Sequence, residues 1–265
     1  MTLLNKAGVT VTIDDSGVAT VTLTAPEKHN AFDEQMVEVL TEAFTLLGDY
    51  PGARCMILAA EGKHFSAGAD LHWMKRMAAY SAEDNYRDAR QLAAMLHALY
   101  SLAIPTIARV QGAAYGGAIG LISCCDIAVG SENASFCLSE VKIGLIPATI
   151  SPYVVETIGA RAARRYFQTA EQFDAKTAQH LGLLHEVVSQ EQLDTTIAGL
   201  TKSLLNNSPQ AVRAAKKLIE EIKGQPINDV LLDKTSALIA DIRVSPEGQA
   251  GLQAFLNKCK APWIK

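Results

Sequence analysis

Two glycine-containing turns are the parts of this sequence best suited to chemistry, and both would act through backbone rather than side chains. The first is GKHFSAGADL, residues 62–71, and the second is QGAAYGGAIGL, residues 111–121. Each follows a continuous apolar run and precedes a helical pattern. A strand-to-helix turn leaves the first helical N–H groups without partners in the helix, and negative charge is favoured there. Small residues let a ligand atom approach the backbone closely. Two such turns facing one another can aim two N–H groups at a single oxygen, which is how an enolate or tetrahedral oxyanion is stabilised. A Gly-Gly or Ala-Gly pair before a helix is, by itself, more often tight packing. Glu140, in LSEVKIG, is the third feature. A glutamate inside an apolar run is unusual unless it is paired or functional, and burial would raise its pKa toward acid–base work. A solvent-facing residue on a loop beside Lys142 fits the same spacing.

Several other chemistries are excluded by what is missing. There is no G-x-G-x-x-G for a dinucleotide, no G-x-x-x-x-G-K-[ST] for a nucleotide phosphate and no G-x-S-x-G nucleophile elbow. The five cysteines (Cys55, Cys124, Cys125, Cys137 and Cys259) fit no zinc spacing. They read as reduced thiols, those at 124, 125 and 137 as inert core groups. His64, His97, His180 and His185 match no ligand or triad pattern, so no metal is expected. The formal charge of −4, without a basic stretch, argues against nucleic acid. The N-terminus lacks the apolar run of a signal peptide. The longest apolar stretch, about 113–125, is too short and glycine-rich for the roughly 20 residues of a membrane span. The expectation is a cytoplasmic protein.

The elements that must position the turns follow from periodicity. With 265 residues, 49% hydrophobic and 20% charged, the chain suits one main domain with an appendage. Residues 9–13 and 18–24 alternate and are separated by Asp14–Asp15–Ser16–Gly17, which predicts an antiparallel hairpin. Residues 33–48 have helical spacing. Residues 55–60 and 106–111 predict buried strands, 126–130 a short strand, and about 70–103 a helix interrupted near Ser81. This order suggests βαβ units with right-handed crossovers. After about 190 the pattern is helical: 190–204, 209–223, 226–243 and 246–258. The division expected is a core over 1–190 and a helical region over 191–265.

PEKHNAF (26–32), HFSAGADL (64–71), IARVQGAAYGGAIGLISCCDIAV (107–129), FCLSEVKIGLIP (136–147) and AFLNKCKAPW (254–263) together resemble the crotonase, or enoyl-CoA hydratase/isomerase, superfamily. They come in that family's order and cover nearly the whole chain. Within it, the resemblance is nearest to bacterial methylglutaconyl-CoA or carboxygeranoyl-CoA hydratases. The resemblance implies an α/β fold with a ββα spiral core and a C-terminal helical region, assembled as a homotrimer or homohexamer. It implies an acyl-CoA thioester substrate, with coenzyme A entering as part of the substrate and no separate cofactor. Carried over by position, the oxyanion donors are the N–H groups of Ala69 and Gly117. Lys28, His29, Ala67, Asp70 and Leu71 line the CoA site, largely through backbone. Phe255 and Lys258 match positions where a neighbouring subunit touches CoA. Because the chain is acidic, local cations must meet the CoA phosphates. Lys28 and Lys258 are the candidates, while Lys63 and Lys260 read as solvated.

The resemblance also implies two departures. Hydratases of this family commonly use two glutamates; the second aligns with Glu140, while Gly120 stands at the first position. The segment after Ile146 reads PATISPY where many members are glycine-rich. Both leave open hydration of a 2-enoyl-CoA by a single glutamate, isomerisation of a 3-enoyl-CoA, another enolate-stabilising reaction such as decarboxylation, and CoA binding with little catalysis, against which Glu140 speaks. His72 and Arg76, four apart on one helix face, could meet a carboxylate at the far end of a glutaconyl-type chain, although a plain surface role is the commoner reading for such residues.

Overall fold

The fold was analysed in a computed structural model, which describes residues 1–264. The predicted hairpin is present as β2 (Val9–Ile13) and β3 (Val18–Leu23), preceded by β1 (Thr2–Lys6). Val9, Val11 and Ile13 are buried while the threonines between them are half-buried, the alternation of a sheet with unequal faces. The Asp14 carboxylate accepts from the N–H groups of Ser16 (2.8 Å) and Val18 (2.9 Å), which shapes the turn.

Parallel strands follow: β4 (Cys55–Ala60), β5 (Thr106–Val110) and β7 (Ile127–Ser131), with β10 (Glu186–Val188) at the far edge. The large sheet runs β1-β2-β3-β4-β5-β7-β10, antiparallel through β3 and parallel beyond it. A small sheet holds β6 (Ala114–Tyr115), β8 (Ser135–Cys137) and β9 (Phe173–Asp174) in the order β6-β8-β9. Strand β7 begins one residue later than expected because Asp126 is used otherwise. Its carboxylate accepts from the Thr106 N–H (2.8 Å) and hydroxyl (3.0 Å) and pairs with Lys216 (2.7 Å).

Helix α1 (Glu34–Asp49) is capped by Asp33, whose carboxylate accepts from the Met36 N–H at 2.9 Å. The interrupted helix is resolved into α2 (Leu71–Met77) and α3 (Ala82–Tyr100), with Ser81 capping α3. Helices α4 (Gly117–Ser123), α5 (Ser151–Thr169) and α6 (Ala175–His180) complete the core. Periodicity did not single out α5. Gly159, at φ 75° and ψ 153°, breaks its helical path in the middle.

The C-terminal helices are α7 (Leu193–Leu205), α8 (Pro209–Ile222), α9 (Asp229–Val244) and α10 (Pro246–Leu256). Helix α7 buries Leu193 and Ile197 against Ile107 and Val129. By contrast, α8 and α9 contain no buried residue. Long cations fasten this region to the core. Arg54 donates to the carbonyls of Leu205 (3.1 Å) and Asn207 (2.9 Å), Arg213 to Ala53 (2.8 Å) and Lys216 to Ile104 (3.2 Å). Val230 and Ile239 on α9, and Phe255 on α10, are exposed.

All five cysteines are free, and only Cys259 is exposed. Burial pushes the Cys55 thiol up to about 11 and Cys125 to about 12, so neither is a nucleophile near neutrality. No helix among the described residues is long and apolar enough to cross a membrane, and none of their side chains form a metal-binding cluster.

Candidate active site

The two turns lie side by side. The Ala113 carbonyl accepts from both Phe65 (2.9 Å) and Ser66 (3.1 Å), and the Tyr115 N–H donates to Ser66 (3.0 Å). Gln111 helps hold this junction, donating to the carbonyls of Ala60 (2.9 Å), Gly62 (3.2 Å) and His64 (3.1 Å). Asn30, fully buried, donates to Glu61 (2.9 Å) and His64 (3.1 Å) and accepts from Ala25 (3.0 Å). Sequence reasoning quoted Asn30 and Gln111 within motifs but gave neither a role. A usable signal for Asn30 was its type, since asparagine tolerates the left-handed backbone it adopts at φ 52°.

Both candidate donors follow a glycine with positive φ: Gly68 (+92°) before Ala69, and Gly116 (+52°) before Gly117. The Gly68 carbonyl accepts from Phe32 N–H at 2.7 Å, and the Gly116 carbonyl from Ile119 N–H at 3.0 Å. In a trans peptide the N–H points opposite to the carbonyl. The N–H groups of Ala69 and Gly117 are therefore turned away from these internal contacts. Among the described residues neither has an acceptor, and Ala69 is exposed. Helices α2 and α4 have only 7 residues each, so direct N–H alignment matters here more than a macrodipole.

Glu140 opens a short 3-10 turn, Glu140–Ile143. Its Oε1 lies 3.3 Å from where a methyl on Gly116 would stand, which places the carboxylate against the second donor turn. Oε2 is buried with no hydrogen-bond partner among the described residues. Burial pushes the carboxyl above its ordinary range, opposed only by its own backbone N–H. Glu140 as a whole is half-buried with Oε2 turned inward, and Lys142 points instead toward the Cys137 sulfur at 3.9 Å.

Gly120 is enclosed. A Cβ there would stand 2.3 Å from Ile150 Cγ2, 2.8 Å from Ile150 Cβ and 3.4 Å from Leu96 Cδ2. The space a side chain at 120 would need is filled by Ile150, from the PATISPY segment. Replacing Gly120 with glutamate alone should therefore not install a second carboxylate. The overpacking should cost at least about 1–3 kcal/mol, read as a fall in melting temperature without a gain in turnover. Removing the Ile150 side chain as well, as Gly120→Glu with Ile150→Gly, should recover part of that loss.

The remaining candidates divide into two groups. Residues 28–32 run beside 67–70: the Ala67 N–H donates to the His29 carbonyl (3.0 Å), and the His29 and His64 rings meet edge to face at 4.9 Å. Lys28 is paired with Asp33 at 2.7 Å, and Leu71 is 73% exposed. The Asp70 carboxylate is turned onto its own helix, accepting from His72 (2.8 Å) and Trp73 (3.1 Å). Phe255 and Lys258 form the other group. They sit at the end of α10 and just beyond, and no described contact brings them to the turns. Arg76 is committed elsewhere, since its guanidinium grips the Glu34 carboxylate (Nε to Oε1 2.7 Å) with Tyr80 beside it. Of the two readings of His72 and Arg76, the pairing of Arg76 with Glu34 on the surface favours the plain surface role.

Crossover strands, paired glycine turns and a half-buried glutamate beside one of them are brought together at this end of the sheet. The pattern of the enoyl-CoA hydratase/isomerase family matches residues 14–265, and the chain belongs to that family. A crystal structure of an enoyl-CoA hydratase from Shewanella pealeana superposes with TM-score 0.93 at 46% identity, covering 97% of this chain and 96% of that one. An enoyl-CoA hydratase from Mycobacterium smegmatis gives TM-score 0.91 at 31% identity, covering 98% and 100%. A Mycobacterium tuberculosis enzyme, (7aS)-7a-methyl-1,5-dioxo-2,3,5,6,7,7a-hexahydro-1H-indene-carboxyl-CoA hydrolase, is 35% identical over 220 residues, 83% of this chain and 87% of that protein. The crotonase fold and an enzyme of crotonase-type acyl-CoA chemistry are thereby established.

Proposed function

We propose that the chain is a lyase that adds water across the double bond of a 2-enoyl-CoA, with Ala69 and Gly117 as oxyanion donors and Glu140 as its single acid–base group. The observation that carries this reading is the unpartnered, buried Glu140 Oε2 beside the second donor turn. The Glu140 carboxylate takes a proton from water as the water oxygen bonds to Cβ. The electron pair of the double bond shifts to the thioester oxygen, where the two N–H groups hold the enolate. The enolate then collapses, and Glu140 returns the proton to Cα. Lys28, His29, Ala67, Asp70 and Leu71 would grip the CoA portion, with Lys28 exchanging Asp33 for phosphate.

One observation favours a second reading. Ile150 fills the space beside Gly120, so no second carboxylate can stand there, and one base suffices to move a proton between Cα and Cγ of a 3-enoyl-CoA. Crotonyl-CoA, 3-methylglutaconyl-CoA and 3-hexenoyl-CoA separate the two. Loss of the conjugated-thioester absorbance from either of the first two establishes hydration. A gain from the third, with no loss from the others, replaces the lyase reading with isomerase. With Arg76 occupied, crotonyl-CoA is expected to be the better of the two conjugated substrates.

The assembly belongs to the same proposal. Residues 191–265 would form the trimerisation region, covering the exposed Val230 and Ile239 and bringing Phe255 and Lys258 to a neighbour's CoA site. The expected mass in solution is that of three or six chains. A fully active monomer at micromolar concentration contradicts it.

A further inference from the structure

Phe32 lies between the donor turns, bonded by backbone to one and with its ring facing the other. Its N–H donates to the Gly68 carbonyl at 2.7 Å, and its carbonyl accepts from the Asp70 N–H at 2.7 Å. These bonds straddle Ala69, which forms an isolated parallel bridge with Phe32. Its ring carbons Cε2 and Cδ2 stand 3.4 and 3.5 Å from the position of a Cβ on Gly117. The ring thus stands on the side where a Gly117 side chain would be, so close that a single methyl would fill the space between them.

The segment that carries Phe32 is itself held at both ends. On the N-terminal side, His29 and Asn30 take left-handed backbone (φ 54° and 52°), and Asn30 is bonded to Ala25, Glu61 and His64. On the C-terminal side, Asp33 caps α1 and accepts from Lys28. Phe32 is only 2% exposed and belongs to the main core. A rigid residue joined to turn one by two short bonds, with its ring about a methyl's width from turn two, limits how closely the turns can approach.

We propose that Phe32 is the positioning residue that fixes the spacing of the Ala69 and Gly117 N–H groups. This rests on reading those two groups as the oxyanion donors. Shortening the side chain leaves both backbone bonds possible but removes the wall beside Gly117. The second donor can then relax toward the vacated ring volume. Enolate stabilisation depends steeply on donor geometry, whereas ground-state binding of a CoA ester is spread over many contacts. The effect should fall on kcat rather than KM.

The test compares Phe32→Leu and Phe32→Met with Phe44→Leu, a control at an equally buried phenylalanine of α1. Three quantities are measured: melting temperature, kcat and KM on the acyl-CoA the wild type turns over, and the near-ultraviolet enolate absorbance of bound acetoacetyl-CoA. Phe32→Leu should lower kcat by about tenfold or more with KM within about threefold, and should weaken the enolate band. Phe32→Met should fall between it and wild type. Phe44→Leu should keep both kcat and enolate band despite a comparable loss of melting temperature. Equal losses in Phe32→Leu and Phe44→Leu, or an unchanged enolate band in Phe32→Leu, overturn the proposal. If Phe32→Leu does not fold, Phe32→Met carries the same comparison. A wild type that binds acetoacetyl-CoA without any enolate band overturns the donor reading itself, and the role of Phe32 falls with it.

Discussion

Replacing Glu140 with glutamine should lower turnover by about 10²–10⁴-fold, the usual worth of general acid–base help, while leaving acyl-CoA affinity nearly unchanged. Glutamine keeps the shape but cannot take a proton from water or return one to Cα. The wild type should also show an acid limb set by this residue. Burial holds the Glu140 carboxyl above its ordinary value of 4.5, so the ionised base is lost as pH falls through a value higher than that. Stability should move the other way. Between the unfolded and folded pKa the unfolded chain ionises more readily, so this group's contribution is full below the unfolded value and is lost as pH rises through the folded one. Glu140→Gln should therefore melt above wild type at neutral pH, with the gap closing in acid. Substantial turnover surviving in the variant would show that another group carries the proton.

Gly116→Ala should be nearly as damaging, for two reasons that act together. At φ 52° and ψ −122° the backbone lies where an alanine is strained by about 1–3 kcal/mol. The new methyl would also stand 3.3 Å from Glu140 Oε1 and 3.8 Å from its Cδ. Relief by rotating the peptide turns the Gly117 N–H; relief by moving Glu140 displaces the base. Either way kcat should fall by about 10²-fold or more, with a folded protein by circular dichroism and a modestly lower melting temperature. A kcat within about threefold of wild type would show that neither group needs its present place.

The parts legible in the sequence were those whose physics is local. Strands β2 and β3 alternate because one face is more covered than the other, and β4 reads as a continuous apolar run because it lies inside a parallel sheet. Asp33 and Ser81 are ordinary N-caps, so α1 and α3 begin where their types suggest. Helix α5 escaped notice because Gly159 interrupts its period, and β6, β8 and β9 are too short for any periodicity to register. The glycine turns were visible as turns; that Ala113, Ser66 and Tyr115 join them is a long-range pairing no spacing encodes. Gly120 shows the limit most clearly. Its type marks a missing carboxylate only by resemblance, and nothing near it in the chain announces that Ile150, thirty residues later, occupies the room. Glu140 was ambiguous for the same reason: EVKI suits a surface turn, and its buried Oε2 depends on neighbours brought by other strands.

The way α8 and α9 are attached has a consequence for how the chain breathes. Neither helix buries a residue, and α8 is fastened by polar contacts along its length, at Arg213 and Lys216 and again at Glu220 and Lys223, which meet Tyr100 and Glu156. Opening α9 therefore exposes no fully buried apolar side chain of its own, so its free energy lies far below that of unfolding the sheet. In deuterated solvent its amide protons should exchange long before those of β4 and β5. Should another copy of the chain cover Val230 and Ile239, that difference would narrow. The exchange rate of α9 would then serve as a clock on association, readable without any substrate and at concentrations where mass measurements average over several species.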